Sequence, residues 1–410
     1  MAKTKKAHVT GVKDQYEVFP YPLRAPEDDR KRLVTTLGGN LDGISHFAFD
    51  GRRDFSKPLR LLVAGGGTGD ALIYLAQQLA DRACPAEVVY IDLSTASRAI
   101  AEARAAIRGL TITFVTGSLL DVGTLAPGPY DYIDCSGVLH HLPDPDAGLA
   151  ALAAQLAPDG AMGIMLYGTL GRSGVYPMQA LLRTLAPDTL PAAERLAIFR
   201  KVMASLPATN LLRHNPVLGI NPQTDDNELF DMFLHSQDRS YTVEEIGRFA
   251  AGSGLRVTSF IPLAQYDPAG ACGDPQVLKR LDGKSMLERA AVAEALHCLS
   301  QMHVFYLVRQ GNGVTIPSPT EDDAVPVWHD GFAFPHQKLG GTFQFGKSRG
   351  PVVCQITVTA EISAIASRID GNTSLGAIRR AAGLSPKAFA EAMAVLWRLN
   401  GVHFLFLRRP

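Results

Sequence analysis

From residue 59 to residue 167 short apolar runs alternate with stretches whose apolar positions recur every three or four residues. The runs are Leu59–Val63, Glu87–Ile91, Thr111–Val115, Tyr130–Cys135 and Ala161–Tyr167. Between them, Asp70–Leu79, Thr95–Ile107 and Asp146–Leu156 have helical periodicity, and Pro158-Asp159-Gly160 stops the last. Strand and helix patterns alternating in this way predict a parallel sheet with helices on both faces. After Gly168 the alternation ceases, and residues 169–240 read as an irregular helical insertion over the open end of the sheet. It resumes at Thr242-x-x-Glu245, the signature of a capping box opening a helix to about Ala251. Leu255–Ile261 then reads as a sixth strand, Ser285–Met302 as a helix and His303–Val308 as a last strand.

This divides the chain into an N-terminal strap or lid (1–45), an α/β domain (46–310) carrying the insertion 169–240, a Pro-, Gly- and acid-rich linker (311–330), and a small C-terminal α+β domain (331–410). In the last, Glu361–Ile369, Leu375–Ala382 and Pro386–Leu399 read as helices and Val402–Leu407 as a strand, an order that suggests a winged-helix-like module. Its third helix carries only Lys387 and Arg398 as basic residues. DNA reading depends on phosphate contacts, so protein contact or homodimerisation is the expected role.

Composition narrows the classes. A chain of 410 residues suits two or three domains, and 46% apolar residues suffice for a sizeable core. Lys and Arg number 40, as do Asp and Glu, which argues against a large nucleic-acid footprint. No apolar run reaches membrane-spanning length, and the basic N-terminus is not followed by the apolar stretch of a secretory signal. Five scattered cysteines without a C-x-x-C suit a reducing cytoplasm and no metal site.

The chemistry is concentrated in Leu61-Leu62-Val63-Ala64-Gly65-Gly66-Gly67-Thr68-Gly69-Asp70. A strand runs into glycines at alternate positions and then into a helix. Glycine lets backbone N–H groups approach a ligand, and the free N–H groups of a helix start favour an anionic group. A dinucleotide fingerprint needs Gly or Ala where Asp70 stands. The pattern is G-x-G-x-G, and it resembles the first motif of class I S-adenosylmethionine (SAM) methyltransferases. The second run ends in Asp92-Leu93-Ser94, where an acid can accept from both ribose hydroxyls of an adenosine-type ligand. Asp92 and Ser94 also suit a helix cap. After the third run, Thr116-Gly117-Ser118-Leu119 has Ser118 where the class often has an acid near the adenine; the Ser118 hydroxyl or the Leu119 N–H would meet the ring instead. Asp134-Cys135-Ser136-Gly137-Val138-Leu139-His140-His141-Leu142 resembles the G-V-L-H-H-L segment of the same class, which implies Ser136, Gly137 and Val138 near the methionine part of SAM.

The resemblance covers about 59–310 and implies a Rossmann-like fold, with Gly65, Gly66, Gly67, Thr68, Gly69, Asp92, Leu93, Ser118, Leu119, Ser136, Gly137 and Val138 as the SAM site. Ala64-Gly65-Gly66-Gly67-Thr68-Gly69, the Ser136–Leu142 segment and His235-x-Gln237 followed by Thr242 are also similar to a bacterial group sometimes fused to tetratricopeptide repeats, which this chain lacks. One departure stands out. Many members place an acid two residues before the first glycine, where it helps to hold the SAM amino group; this chain has Val63.

The substrate side is sought in two places. In Asp231–Thr242, Asp231 and His235 share a helix face, His235 has the pKa range of a base, and Arg239 can hold a carboxylate. Tyr241 closes the segment. The bland alternative is an ordered loop with a buried Arg–Asp pair. The aromatic stretch Tyr16 to Pro22 is either a lid, with Tyr16 and Tyr21 over the sulfonium, or a packed strap. For catalysis, His235, Tyr21 and one of the His140–His141 pair, taken as His140, are the candidates. Gly341–Ser348 matches the P-loop expression, but Arg349-Gly350-Pro351 cannot open the helix a P-loop needs. The expected function is methyl transfer from SAM to a protein side chain or a small metabolite. The alternative is a non-catalytic SAM-binding or scaffold protein, which the missing acid at Val63 keeps open.

Overall fold

The computed structural model describes residues 12–218, 224–346 and 354–410. Seven strands form one sheet in the order β3-β2-β1-β4-β5-β7-β6: β1 (Leu59–Ala64), β2 (Ala86–Asp92), β3 (Thr113–Thr116), β4 (Tyr130–Ser136), β5 (Leu156–Tyr167), β6 (Leu255–Ile261) and β7 (Met302–Arg309). The first five pair in parallel, and β7 lies antiparallel between β5 and β6. Its five parallel strands are the sheet that the alternation predicts; with the antiparallel β7 it is the Rossmann-like sheet that the methyltransferase resemblance implies.

The two-residue period of a strand sorts β1 between two cores. Leu61 and Val63 face one layer with Leu72, Leu75, Tyr90 and Ala101. Leu62 and Ala64 face the other with Ile133, Leu149, Ile246 and Phe305. Both faces are covered, which is why these strands read as near-continuous apolar runs. The insertion adds its own small core: the helices Val175–Leu185, Ala192–Ser205 and Asp226–Phe233 bury Met178, Phe199 and Phe233, and Phe19 of the N-terminal strap packs against them. The capping box at Thr242 is complete, with Glu245 accepting from the Thr242 N–H at 2.8 Å.

Three expected elements differ. The helix expected over Asp146–Leu156 ends at Ala154, and β5 begins at Leu156 and takes in Pro158–Gly160, expected as the helix stop. The helix expected over Ser285–Met302 ends at His297, because Cys298 turns left-handed (φ 53°). The following residues serve the sheet edge: the Ser300 and Gln301 carbonyls accept from the Gly171 and Gly168 N–H groups. The segment 311–330, expected as linker, contains strand β8 (Val325–Trp328). A second ribbon pairs β9 (Thr342–Phe345) with β10 (Cys354–Thr357), so the P-loop look-alike begins as a strand; Lys347 and Ser348 lie outside the described residues. β8 pairs antiparallel with β11 (Leu405–Arg408).

Alternation along β11 joins the C-terminal unit to the rest. Leu405 and Leu407 enter a core with Ile365, Leu375 and Leu396. Phe406 points the other way, into the layer under the main sheet with Phe47 and Tyr306. Beside it the Asn400 amide donates to His46 Nε2 (3.1 Å), and His46 Nδ1–H donates to the Leu407 carbonyl (3.1 Å). Phe406→Ala is expected to remove about 3–5 kcal/mol of unfolding free energy, read from urea denaturation. Burial pushes His46 down to about 4, so it stays neutral when folded, whereas the unfolded chain takes up a proton near pH 6.5. Stability is therefore expected to fall as pH drops from about 6.5 towards 4, and a thermal series that stayed flat over that range would contradict this.

Candidate functional site

A cavity of about 380 Å³ opens at the carboxyl edge of β1, β2 and β4, where ligands of open α/β sheets sit. Its floor is the glycine loop. Gly65 has φ 71° and Gly67 φ 52°, a region that side chains rarely adopt. A Cβ on Gly65 would come within 2.5 Å of Val138, and one on Gly66 within 2.4 Å of the Tyr90 ring. The loop is pinned from below: Asp92 Oδ2 accepts from the Gly67 N–H (2.8 Å), and the Tyr90 hydroxyl donates to the Gly67 carbonyl (2.8 Å). Asp92 Oδ1 accepts from the Ser94 N–H (2.8 Å). Burial pushes the Asp92 carboxyl up, and the backbone donors Ser94, Gly67 and Leu93 oppose it.

Of the residues expected to hold SAM, Gly65, Gly66, Gly67, Asp92, Leu93, Ser118, Leu119, Ser136, Gly137 and Val138 line this cavity. Thr68 and Gly69 do not. Thr68 is fully buried and donates its hydroxyl to the Pro22 carbonyl (2.7 Å), and Gly69 is the N-cap of the helix Asp70–Asp81. Ser118 Oγ accepts from the Leu120 N–H (3.2 Å) as the cap of a short 3-10 turn. Asp70, whose presence spoke against a dinucleotide, lies in a half-buried ion-pair network with Arg24 (2.6 Å) and the buried Arg104 (2.8 Å).

The N-terminal strap roofs the cavity. Glu17 accepts from the Thr95 and Ala96 N–H groups at the start of the helix Thr95–Ile107, which suits a carboxylate at a helix N-terminus. Phe19 stacks on Phe230 (4.6 Å), and Asn227 donates to the Pro20 carbonyl (2.8 Å). Strap, insertion and sheet edge are thus tied together around Asp231. Its Oδ1 accepts from Tyr16 (3.0 Å) and its Oδ2 from Tyr167 (2.8 Å). Burial and then the Asp231 charge raise both phenols well above their usual pKa, and Tyr21 is raised by the same causes. These three tyrosines hold their protons at neutral pH.

The expected substrate and catalytic residues separate into layers. Tyr16, Tyr21 and Asp231 line the cavity. His235 stands behind them, bonded to Tyr16 through Nε2 (3.2 Å). The Gln237 N–H donates to His235 Nδ1 (3.0 Å), so in the neutral ring Nε2 carries the hydrogen and has no lone pair to offer. Burial holds the ring well below its usual pKa, so it is neutral. His140 is fully buried against Tyr167 (4.1 Å), with neither ring nitrogen partnered among the described residues, and it does not reach the cavity. Arg239 is exposed, stacks over the Tyr241 ring (4.1 Å) and pairs with Glu245 (3.4 Å). Tyr241 is itself buried in the core under the sheet. Arg239 and Tyr241 therefore face away from the site: a backbone bridge to Gly168 turns Tyr241 inward and leaves Arg239 on the surface.

Two cavity residues carry chemistry that the sequence alone did not single out. His141 lines the cavity, stacks on His235 (3.9 Å) and bonds through Nδ1 to the Gln237 carbonyl (3.0 Å). A carbonyl only accepts, so Nδ1 carries the hydrogen and Nε2 of the neutral ring keeps its lone pair. The G-V-L-H-H-L segment offered both histidines; which one faces in depends on the 3-10 turn Leu139–His141. The other residue is Asp134, 3% exposed at the end of β4. The ligand atoms of His141, Asp231 and His235 lie within 4.8 Å of one another. Tyr16 bridges Asp231 and His235 by hydrogen bonds, and His141 stacks on His235; the hydrogen on His235 Nε2 points that nitrogen at the Tyr16 oxygen as a donor.

The cavity fits SAM. It offers an acid at the end of β2, a glycine loop whose backbone a ligand can approach with no side chain in the way, and a second, uncompensated acid. Similarity to known proteins agrees. A family profile described as "Methyltransferase domain" matches residues 62–162. An uncharacterised protein of Synechococcus sp. is 34% identical over 329 residues, covering 79% of this chain and 74% of that one. The ubiquinone biosynthesis O-methyltransferase of Bordetella avium is 28% identical over 152 residues; the match takes in 37% of this chain and 53% of that enzyme, about half its length. Among solved structures, PKMT2 from Rickettsia typhi in complex with AdoHcy superposes with a TM-score of 0.62 at 14% identity, covering 90% of this chain and 75% of that one. Glycine loop, the acid at the end of β2, strand order and relatives converge: the chain belongs to the class I SAM-dependent methyltransferases.

Proposed function

We propose that this enzyme methylates an oxygen or nitrogen nucleophile, carried by a protein side chain or a small metabolite, at the cavity end bounded by Tyr16, Tyr21, Tyr167 and His141. The observation that carries the proposal is the His141 ring, held by the Gln237 carbonyl with a lone pair left on Nε2. SAM, when bound, supplies an electrophilic methyl group on a sulfonium. The protein supplies orientation and a water-poor site. Asp92 holds the ribose, and the left-handed glycine loop lets the ligand lie against backbone. The strap residues Tyr16 and Tyr21 cover the reacting end. An acceptor that is protonated at neutral pH must lose its proton as it attacks, and His141 Nε2 is the base placed to take it. Relatives named as O-methyltransferases support an O–H acceptor. The five cysteines are unpaired thiols, which supports the cytoplasmic placement.

The test is transfer of label from methyl-labelled SAM into a cell lysate, separated into protein and small-molecule fractions. Label is expected in one of them, and His141→Ala is expected to slow incorporation about 100-fold or more while leaving the SAM dissociation constant within about twofold. No label in either fraction with wild-type protein would reject the enzymatic reading in favour of a scaffold. Asp92→Ala is expected to weaken SAM binding at least about tenfold in calorimetry, through loss of charged hydrogen bonds to the ribose and of the Gly67 strut. Unchanged affinity would remove Asp92 from the site.

A further inference from the structure

The family resemblance leaves the SAM amino group without its usual partner, because Val63 stands where an acid is common. In parallel register, Val63 of β1 pairs with Asp134 of β4. Register partners point to the same sheet face, so Asp134 presents its carboxylate to the same wall, one strand over. It lines the cavity together with Val63, Gly65 and Gly137. Its next partner in the row is Gly163 of β5. A Cβ at Gly163 would come within 2.1 Å of the Tyr132 hydroxyl and 3.5 Å of Asp134 Oδ2, so the missing side chain makes room for both groups.

Asp134 has little to balance its charge. Among the described residues its one hydrogen bond is from Ser136 Oγ at a long 3.3 Å, and no cation pairs with it. The titratable groups facing it are the Tyr132 and Tyr306 phenols, both raised above their usual pKa by burial and so neutral. Burial pushes the Asp134 carboxyl up to about 7. An uncompensated carboxylate this deep is costly unless a bound group brings a positive charge.

We propose that Asp134 binds the α-ammonium of SAM, replacing from β4 the acid that β1 lacks at Val63. This rests on the SAM reading of the cavity. It makes the site specific for the amino-acid end of the cofactor. It also removes the ground for a non-catalytic reading that Val63 provided.

The experiment is calorimetric titration of the full chain with S-adenosylhomocysteine, with its α-deamino analogue (amino group replaced by hydrogen) and with SAM, in wild type and Asp134→Asn. Wild type is expected to bind S-adenosylhomocysteine at least about tenfold more tightly than the deamino analogue, as for a buried charge pair broken on one side. In Asp134→Asn that difference is expected to collapse to about twofold or less. Thermal unfolding without ligand separates binding from folding: the variant is expected to melt at or above the wild-type temperature, since an uncompensated buried charge has been removed. Equal wild-type affinities for the two ligands overturn the proposal whatever the variant does. So does a difference that survives in Asp134→Asn, and so does a variant that loses SAM but not S-adenosylhomocysteine, which would assign the acid to the sulfonium. Failure of wild type to bind S-adenosylhomocysteine at all would instead overturn the SAM reading beneath it.

Discussion

The hydrogen bond from the Gly67 N–H to Asp92 Oδ2 is the interaction on which the site depends. A loop that is left-handed at Gly65, Gly67 and Gly69 leaves the β1–β2 ladder at the Gly65 and Gly66 N–H groups, which donate to the Ile91 carbonyl, and its tip at Gly67 lies beyond that ladder. Asp92 and Tyr90, both at the end of β2, clamp the amide and the carbonyl of one residue at its tip. The acid proposed to receive the ribose is thereby also the strut that shapes the floor. The clamp requires β2 beside β1 in parallel register, Val63 opposite Tyr90 and Ala64 opposite Ile91. Sheet order, register and ligand geometry are one constraint seen at three scales.

The roof follows from the floor. The strap crosses the cavity because its groups find partners at the edge: Thr68 for the Pro22 carbonyl, Asp70 for Arg24, and the open helix start at Thr95 for Glu17. From there Tyr16 reaches Asp231 of the insertion, and Tyr167 at the end of β5 reaches the same carboxylate. One buried acid thus joins three segments far apart in sequence. The histidines take their roles from this packing. Backbone donation to Nδ1 fixes His235 as a donor to the Tyr16 oxygen, and a backbone carbonyl at Nδ1 leaves His141 a lone pair at the cavity wall.

The sheet was legible because its strands are buried on both faces and its glycine loop has few conformational alternatives. The placement of Asp92 and of Ser136–Val138 at the cavity was legible because both lie at the end of a strand, where open α/β folds place ligands. Thr68 was misplaced within a correct motif: its hydroxyl turns to the strap, a contact between residues 22 and 68 that no local pattern encodes. Arg239 and His140 were misread because chain direction after a turn is set by tertiary bonds, here the bridge at Gly168 and the 3-10 turn at Leu139–His141. β8 was hidden in a linker-like composition because its partner β11 lies near the other end of the domain. Asp134 was in plain sight as a buried acid in an apolar strand, and the unfilled place at Val63 was the clue to it, but pairing the two needs the register between β1 and β4.

The most direct measurement is a crystal structure of the protein with S-adenosylhomocysteine. The account predicts the ribose hydroxyls on Asp92, the adenine beside Ser118 and Leu119, and the amino-acid end over Gly65 towards Asp134, with Tyr16 and Tyr21 closing above the sulfur. Ligand density anywhere else on the molecule, or the ribose turned away from Asp92, would contradict it.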